Sequence, residues 1–457
     1  MKSSNIAIIL SCGLLTVACA TYTPGTHTPD VATTVESRTG IILNESQSNL
    51  DTLSGKTTLA DAAKAALTGN PRLIAALEDL NIASADEIQA GLLINPALGG
   101  EFVFFDDDTR PNLNFGLGFD IGRIFSRSKR MQVARLDRES VQFEVTALIV
   151  GTIFDAQQAL LTLWQAEQRL KLFQNALLIT KAESDTANLL YSAGNLTAGE
   201  IADHIEAYQQ ASLNAGNAQL AVIEAKQKLA TITGVYTDAT ISADIDPHTM
   251  ENYALTADFI DQVLTQNIKL EGERKRIEAL GARLGLAKIS IWIEHLELEA
   301  LYEREDEGGF GFGATVPLPL FDWGKARTGK ATAMLNAAEQ RYKALYLSTR
   351  NLAEATEGFV QILKEAAGSM NTALLNAAVK KLEFENSRFN AMQIGPFDLL
   401  NAKKAYIQTK QRALDIQYLY ASTVLKAKAL EAGVTVSAAE IRGAANSLST
   451  SNEGDHS

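Results

Sequence analysis

What most limits how this chain can fold is that its plan is written twice. The tetrapeptide FDIG at 119–122 returns as FDWG at 321–324, an offset of 202. Gly194 in SAGN matches Gly395 in QIGP at an offset of 201, and TITGV ending at Val235 matches LEAGV ending at Val434 at 199. GNPRL at 69–73 matches QNIKL at 266–270. Landmarks that keep their spacing mark a duplicated unit, here 58–235 and 256–434, joined by an inter-repeat linker at 236–255. Two copies of so long a unit are too few for a solenoid, which stacks several short ones.

Each copy has the same order of elements. Residues 59–93 are Ala-rich with apolar residues three and four apart, as in an amphipathic helix. Asn70-Pro71 breaks that helix early, because the residue before proline is pushed out of the helical region. A strand follows at 98–105, then the charged turn DDDTRPN, a second strand ending at Ile121, a helix over 124–191, the tight turn SAGNLTAG and a helix over 200–233. The second copy predicts a helix at 256–290, strands at 292–303 and 310–320 around REDEGG, and helices at 326–391 and 397–432 around QIGP. Each long helix has about 68 residues and spans about 100 Å at 1.5 Å per residue. The two shorter helices are about half as long, so end to end they line it. A helix that long needs partners throughout, since isolated helices are marginal in water. The helices alone fit a plain bundle or a coiled-coil rod.

The strands point elsewhere. Phe115, Leu117 and Phe119 alternate with Asn114, Gly116, Gly118 and Asp120. Phe310, Phe312, Ala314, Val316 and Leu318 alternate with small residues, and Leu296, Leu298, Ala300 and Tyr302 with His295, Glu297, Glu299 and Leu301. One apolar and one polar face, with acidic turns between strands, suits a membrane β-barrel with a wet lumen. Trp292, Tyr302 and Trp323 near the strand ends fit an interfacial aromatic girdle. Four strands cannot close a barrel, and open edges are not tolerated in lipid. The chain therefore has to share its barrel with copies of itself.

The N-terminus, MKSSNIAIILSCGLLTVACATYTP, has a basic residue, a short apolar core and small residues at its end. That is the layout of a secretory signal and is too short to span a membrane as a helix. LTVAC resembles a bacterial lipobox. Residues 1–18 are then the signal peptide and Cys19 the lipidated first residue of the mature chain. An ordinary signal peptide cut near Ala20 is the alternative. Residues 19–57 are expected to be a lipid-anchored linker and 435–457 a polar tail.

Composition bears on function mainly by exclusion. The net charge of −13 disfavours nucleic acid, which needs a cationic surface. Five histidines and two cysteines leave little for metal or thiol chemistry, and no cofactor or metal site is expected. There is no GxSxG, HExxH, CxxC or phosphate loop, so no enzyme is expected.

The stretches LADAAKAALTGNPRLIAAL, AGLLINPAL, YSAGNLTAGEIADHIEAYQQA, LATITG, VPLPLFDWGKAR and MQIGPFDLLNAKKAY, in that order and duplicated, resemble TolC-type outer-membrane efflux proteins over about residues 57–434. The resemblance implies a mainly α fold with a small β part: a long α-helical barrel, plus four strands per chain of a shared transmembrane β-barrel. It also implies a homotrimer in outer-membrane lipid that meets a periplasmic adaptor and an inner-membrane pump. The function implied is a passive exit duct; a lipid-anchored periplasmic tether without a pore is the alternative. Asp106, Asp107, Asp108, Arg304, Glu305 and Asp306 would then lie in extracellular loops. Pro317, Pro319 and Gly324 would form the strand-to-helix bend. Gly194, Glu200, Asp203, Gly395 and Asp398 would lie at the periplasmic aperture. Each of those turns also has a local reading: Gly194 and Gly395 as left-handed caps of the long helices, Glu200 and Asp398 as acids at helix N-termini.

Overall fold

The computed structural model describes residues 28–42, 52–103, 112–238, 240–250, 253–293, 296–304, 308–316, 318 and 320–435. In chain order the elements are α1 (Thr28–Thr39), β1 (Thr52–Leu53), β2 (Lys56–Thr57), α2 (Leu59–Gly69), α3 (Pro71–Gly91), β3 (Ala97–Val103), β4 (Asn112–Asp120), α4 (Ile121–Ser192) and α5 (Ala198–Thr233). There follow β5 (Tyr236–Thr237), β6 (Ser242–Ala243), α6 (Phe259–Gln266), α7 (Ile268–Ile293), β7 (Glu297–Arg304), β8 (Gly308–Thr315), α8 (Lys325–Ser369), α9 (Leu375–Asn390) and α10 (Pro396–Glu431). The chain forms two compact units. Met1–Pro29, Leu77–Gln142 and Gly272–Arg341 make one, and Asp30–Ala76, Phe143–Glu271 and Tyr342–Ser457 the other.

The first unit holds the sheet, antiparallel in the order β3-β4-β7-β8. Phe115 pairs with Tyr302, which pairs with Phe310; Leu98 pairs with Leu117, Leu117 with Ala300, and Ala300 with Phe312. Cross-strand partners share a face, so the apolar alternations of all four strands fall in phase. The opposite face carries Asn114, Gly116, Glu299, Glu303 and Gly311. Tyr302 and Phe310 meet with ring centroids 4.9 Å apart. Below the sheet, α4 is pinned on two sides. Arg138 reaches Glu87 of α3 at 2.6 Å, while Asp137 and Glu139 take Arg283 and Lys275 of α7 at 2.6 and 3.0 Å.

In the second unit α4 is the core helix. Its Leu160 and Leu163 pack with Ala62 and Ala66 of α2 and Leu229 of α5. Its Leu161 and Trp164 join a cluster with Val360 of α8 and Val424 and Leu425 of α10. Helix α4 contains an 18-residue stretch apolar enough in composition to cross a membrane, but most of that stretch is buried inside the protein. The duplication is visible here as two matching joints. Gly234, at φ 69°, lies so close to Gly69 that an added Cβ would stand 2.2 Å from the Gly69 carbonyl oxygen. Gly433, at φ 91°, stands likewise against Gln266, at 2.4 Å. The sequence landmarks GNPRL and TITGV, and again QNIKL and LEAGV, are in each case the two sides of one contact.

The 19–57 linker docks in part: α1 buries Val31 and Val35, one turn apart, and β1 and β2 pair in parallel with β5 and β6 of the inter-repeat linker. The two linkers thus satisfy each other's backbone groups. Three expectations need correction. The helix expected at 256–290 is two, α6 and α7, broken at Asn267 as the first copy is at Asn70. The third strand begins at Glu297 rather than 292, because α7 continues to Ile293 and carries Trp292 with it. The long helix of the second copy is interrupted by a π-helical segment, Met370–Leu374.

Candidate functional site

The turns that join long and short helices are built by the same local chemistry in two versions. In the first, Gly194 has φ 76°; its N–H donates to the Tyr191 carbonyl, and Asn195 N–H donates back to Leu190. This is a Schellman-type ending, which needs a left-handed residue. Helix α5 then opens with a full capping box. Thr197 Oγ1 accepts from Glu200 N–H at 3.3 Å, and Glu200 Oε2 accepts from Thr197 N–H at 2.8 Å. These bonds favour the ionised form and hold the Glu200 carboxyl below its ordinary range, the Thr197 backbone bond contributing most.

In the second turn the left-handed residue is Met392, at φ 58°, with Met392 N–H on Phe389 and Gln393 N–H on Arg388. Gly395 is the extended N-cap of α10, at φ −79°, rather than a left-handed cap. Pro396 at the first helical position fixes where α10 begins, which leaves the reversal to the residues before it. Asp398 Oδ2 accepts from Gly395 N–H at 3.0 Å. Glu200 and Asp398 thus both occupy the third helical position and close a cap. Asp203 is exposed on α5.

The structure also brings together residues that no motif marked. His204 stacks on Phe397, centroids 4.6 Å apart and planes 11° from parallel, so the starts of α5 and α10 touch. Farther along, Lys404 of α10 reaches Glu183 of α4 at 2.8 Å, and the Glu183 side chain is only 2% exposed. An acid in mid-helix and a lysine 221 positions later carry no local signal.

At the strand-to-helix bend Gly324 has φ 67°, and a Cβ there would stand 2.4 Å from Ile291 Cδ1. Its N–H donates to Asp322 Oδ1 at 2.7 Å. Arg304 ends β7. Cys19, Asp106, Asp107, Asp108, Glu305, Asp306, Pro317 and Pro319 lie outside the described residues.

A four-stranded antiparallel patch with two open edges and one apolar face, feeding paired long helices, is the fold of TolC-type outer-membrane channels. Solved structures similar to this chain include VceC, an outer membrane protein from Vibrio cholerae, at TM-score 0.63 and 17% identity over 82% of this chain and 96% of that one. The Campylobacter jejuni outer membrane channel CmeC matches at 0.62 and 15% over 86% and 89%. The open state of the Neisseria gonorrhoeae outer membrane channel MtrE matches at 0.62 and 18% over 82% and 89%. At such identities the likeness is one of fold. No protein-family model and no curated protein matches the sequence.

Proposed function

We propose that this chain is the outer-membrane exit duct of a tripartite export system. It is a passive channel, driven by an inner-membrane pump through a periplasmic adaptor. The carrying observation is the sheet: all four strands place their large apolar residues, Leu301 apart, in register on one face, and Phe310 and Phe312 are 86% and 91% exposed there. Lipid is the solvent that face suits, and the glycine- and acid-bearing face suits water. The edges of β3 and β8 are unpaired among the described residues of one chain, and closing them with further copies satisfies their backbone groups. Three copies give twelve strands. The structures that share this fold include proteins described as outer-membrane channels, which supports the reading.

In this reading Cys19 carries an acyl anchor, and Asp106, Asp107, Asp108, Glu305 and Asp306 lie in loops outside the cell. Glu200, Asp203 and Asp398 line the periplasmic mouth, each repeated threefold, so that the ring favours cations. The test is purified full-length protein in planar bilayers. Stepwise conductance, with a trimer that dissociates only on heating, supports the duct. A soluble rod that never conducts would make it a tether instead. Asp398→Asn is expected to lower cation selectivity while leaving trimer yield unchanged. Cys19→Ser is expected to abolish palmitate labelling.

A further inference from the structure

The two helices that leave the sheet begin with cations where helices ordinarily begin with acids. Within its first ten residues α4 carries Arg123, Arg127, Lys129 and Arg130, and no acid appears before Asp137. Helix α8 starts with Lys325, Arg327 and Lys330 and has no acid before Glu339. A helix N-terminus is the positive end of the macrodipole, so cations there are disfavoured by the fold itself. The chain as a whole is acidic, at −13, which makes two basic starts stand out further. The helix starts at the hairpin turns show the ordinary arrangement, with Glu200 and Asp398.

Part of this charge is used within the protein. Arg127 Nε donates to the Gly91 carbonyl at the end of α3, Arg130 Nη2 donates to the Arg123 carbonyl, and Arg327 reaches Ser290 and, at 3.8 Å, Asp322. The lysines are less engaged. Lys325 and Lys330 are exposed and make no ion pair among the described residues. Among the described residues Lys129 makes only an exposed contact with Gln132. Arg130 stands among Arg123, Arg127 and Asp120, and its Nε is buried without a hydrogen-bond partner. The nearest acids, Asp120 and Asp322, spend oxygens on the backbone N–H groups of Arg123 and Gly324. Beside the cations stand Phe125, Leu320, Phe321 and Trp323, all well exposed. Cations next to exposed aromatic and apolar side chains, just past the ends of apolar strands, match a bilayer's headgroup layer.

We propose that the starts of α4 and α8 form a basic belt that binds the anionic headgroups of phospholipids in the leaflet facing the helices. This rests on the reading of the sheet as membrane-spanning. Arginine supplies paired donors for a headgroup phosphate and lysine a point charge. In a trimer the belt recurs three times around the barrel foot.

The test is native mass spectrometry of the full-length trimer taken from vesicles of phosphatidylcholine and phosphatidylglycerol in equal amounts. Phosphatidylglycerol is expected to remain bound several-fold over phosphatidylcholine. The triple variant K129Q/K325Q/K330Q removes exposed lysines and should lose that enrichment at unchanged trimer yield. The control K343Q/K380Q/K381Q makes the same change in charge farther along α8 and α9, and should keep it. Enrichment that persists in the first variant, or vanishes equally in the control, overturns the belt. Displacement of the bound lipid by inorganic phosphate alone would reduce it to a generic anion site and overturn it too. A wild-type protein that carries no lipid of either kind, and never enters the vesicles, would overturn the membrane reading beneath it.

Discussion

The two copies of the repeat agree where they build the sheet and in the glycine contacts of the joints, and differ in the hairpins and in the asparagines beside those joints. The first long helix, α4, runs unbroken for 72 residues; its counterpart is split by five residues of π-helix between α8 and α9. The last third of α4 buries Thr180, Glu183, Ser184 and Ala187, whereas α9 buries none of its residues. Glycine makes the first reversal and Met392 the second, although a side chain in the left-handed region is strained. Asn70 uses both ends of its amide, donating to Ile232 and accepting from Arg72 N–H. Asn267 accepts from Leu270 N–H, while its Nδ2 is buried without a partner. Every one of these differences weakens the second copy. A duplicated fold can keep one copy as scaffold and let the other carry lower local stability.

The sheet offers the largest test, because it should show no such difference. Leu117 and Phe312 come from different copies yet lie on one face, each near mid-strand. Arg at either is expected to cost about 2–4 kcal/mol, read as loss of heat-resistant trimer. Gly118→Arg, on the polar face, should cost less. If Leu117→Arg and Gly118→Arg are equally harmful, the face assignment is wrong.

The joints come next. Gly234→Ala and Gly433→Ala each force a Cβ against backbone at positive φ, and each should cost about 2–3 kcal/mol by chemical denaturation. A large gap between them would show that the joints are not equivalent. Replacing Asn70 by Ala breaks two part-buried hydrogen bonds and should cost about 2 kcal/mol. Asn267→Ala breaks one and also removes an unpaired donor, so it should cost clearly less. Met392→Gly relieves the left-handed side chain and is expected to stabilise the second hairpin by about 1 kcal/mol, with Gly194→Ala acting in the opposite direction.

The smallest effect is one of pH. Glu200 has its pKa lowered in the folded state, so the stability it adds is present above the ordinary carboxylate value of 4.5 and is lost as pH falls below it. Protection of the amides at the start of α5, corrected for the intrinsic exchange rate at each pH, should fall on acidification in that window. In Glu200→Gln this fall should be blunted.

Much of this asymmetry could not be read from the sequence, whereas the symmetry could. Strand faces were legible because alternation has a period of two and needs no partner to be seen. The break at Asn70 was legible through Pro71. Its twin at Asn267 has no proline and went unread. The sequence at 291–293, Ile-Trp-Ile, favours a strand by composition, but α7 holds it as the helix end. The π segment, MNTAL, has the composition of the helix around it. The Glu183–Lys404 pair and the His204–Phe397 stack are long-range contacts without a local signature. Helix α1 was hidden by a polar sequence in which, among the described side chains, only Val31 and Val35 are buried.

The claim that the copies differ in local stability is tested most directly by hydrogen–deuterium exchange on the assembled, wild-type protein at neutral pH. Peptides from α9 and the π segment should exchange faster than peptides from the last third of α4, and Met392→Gly should narrow the gap from the α9 side. Equal protection in the two hairpins, or faster exchange in α4, would contradict it.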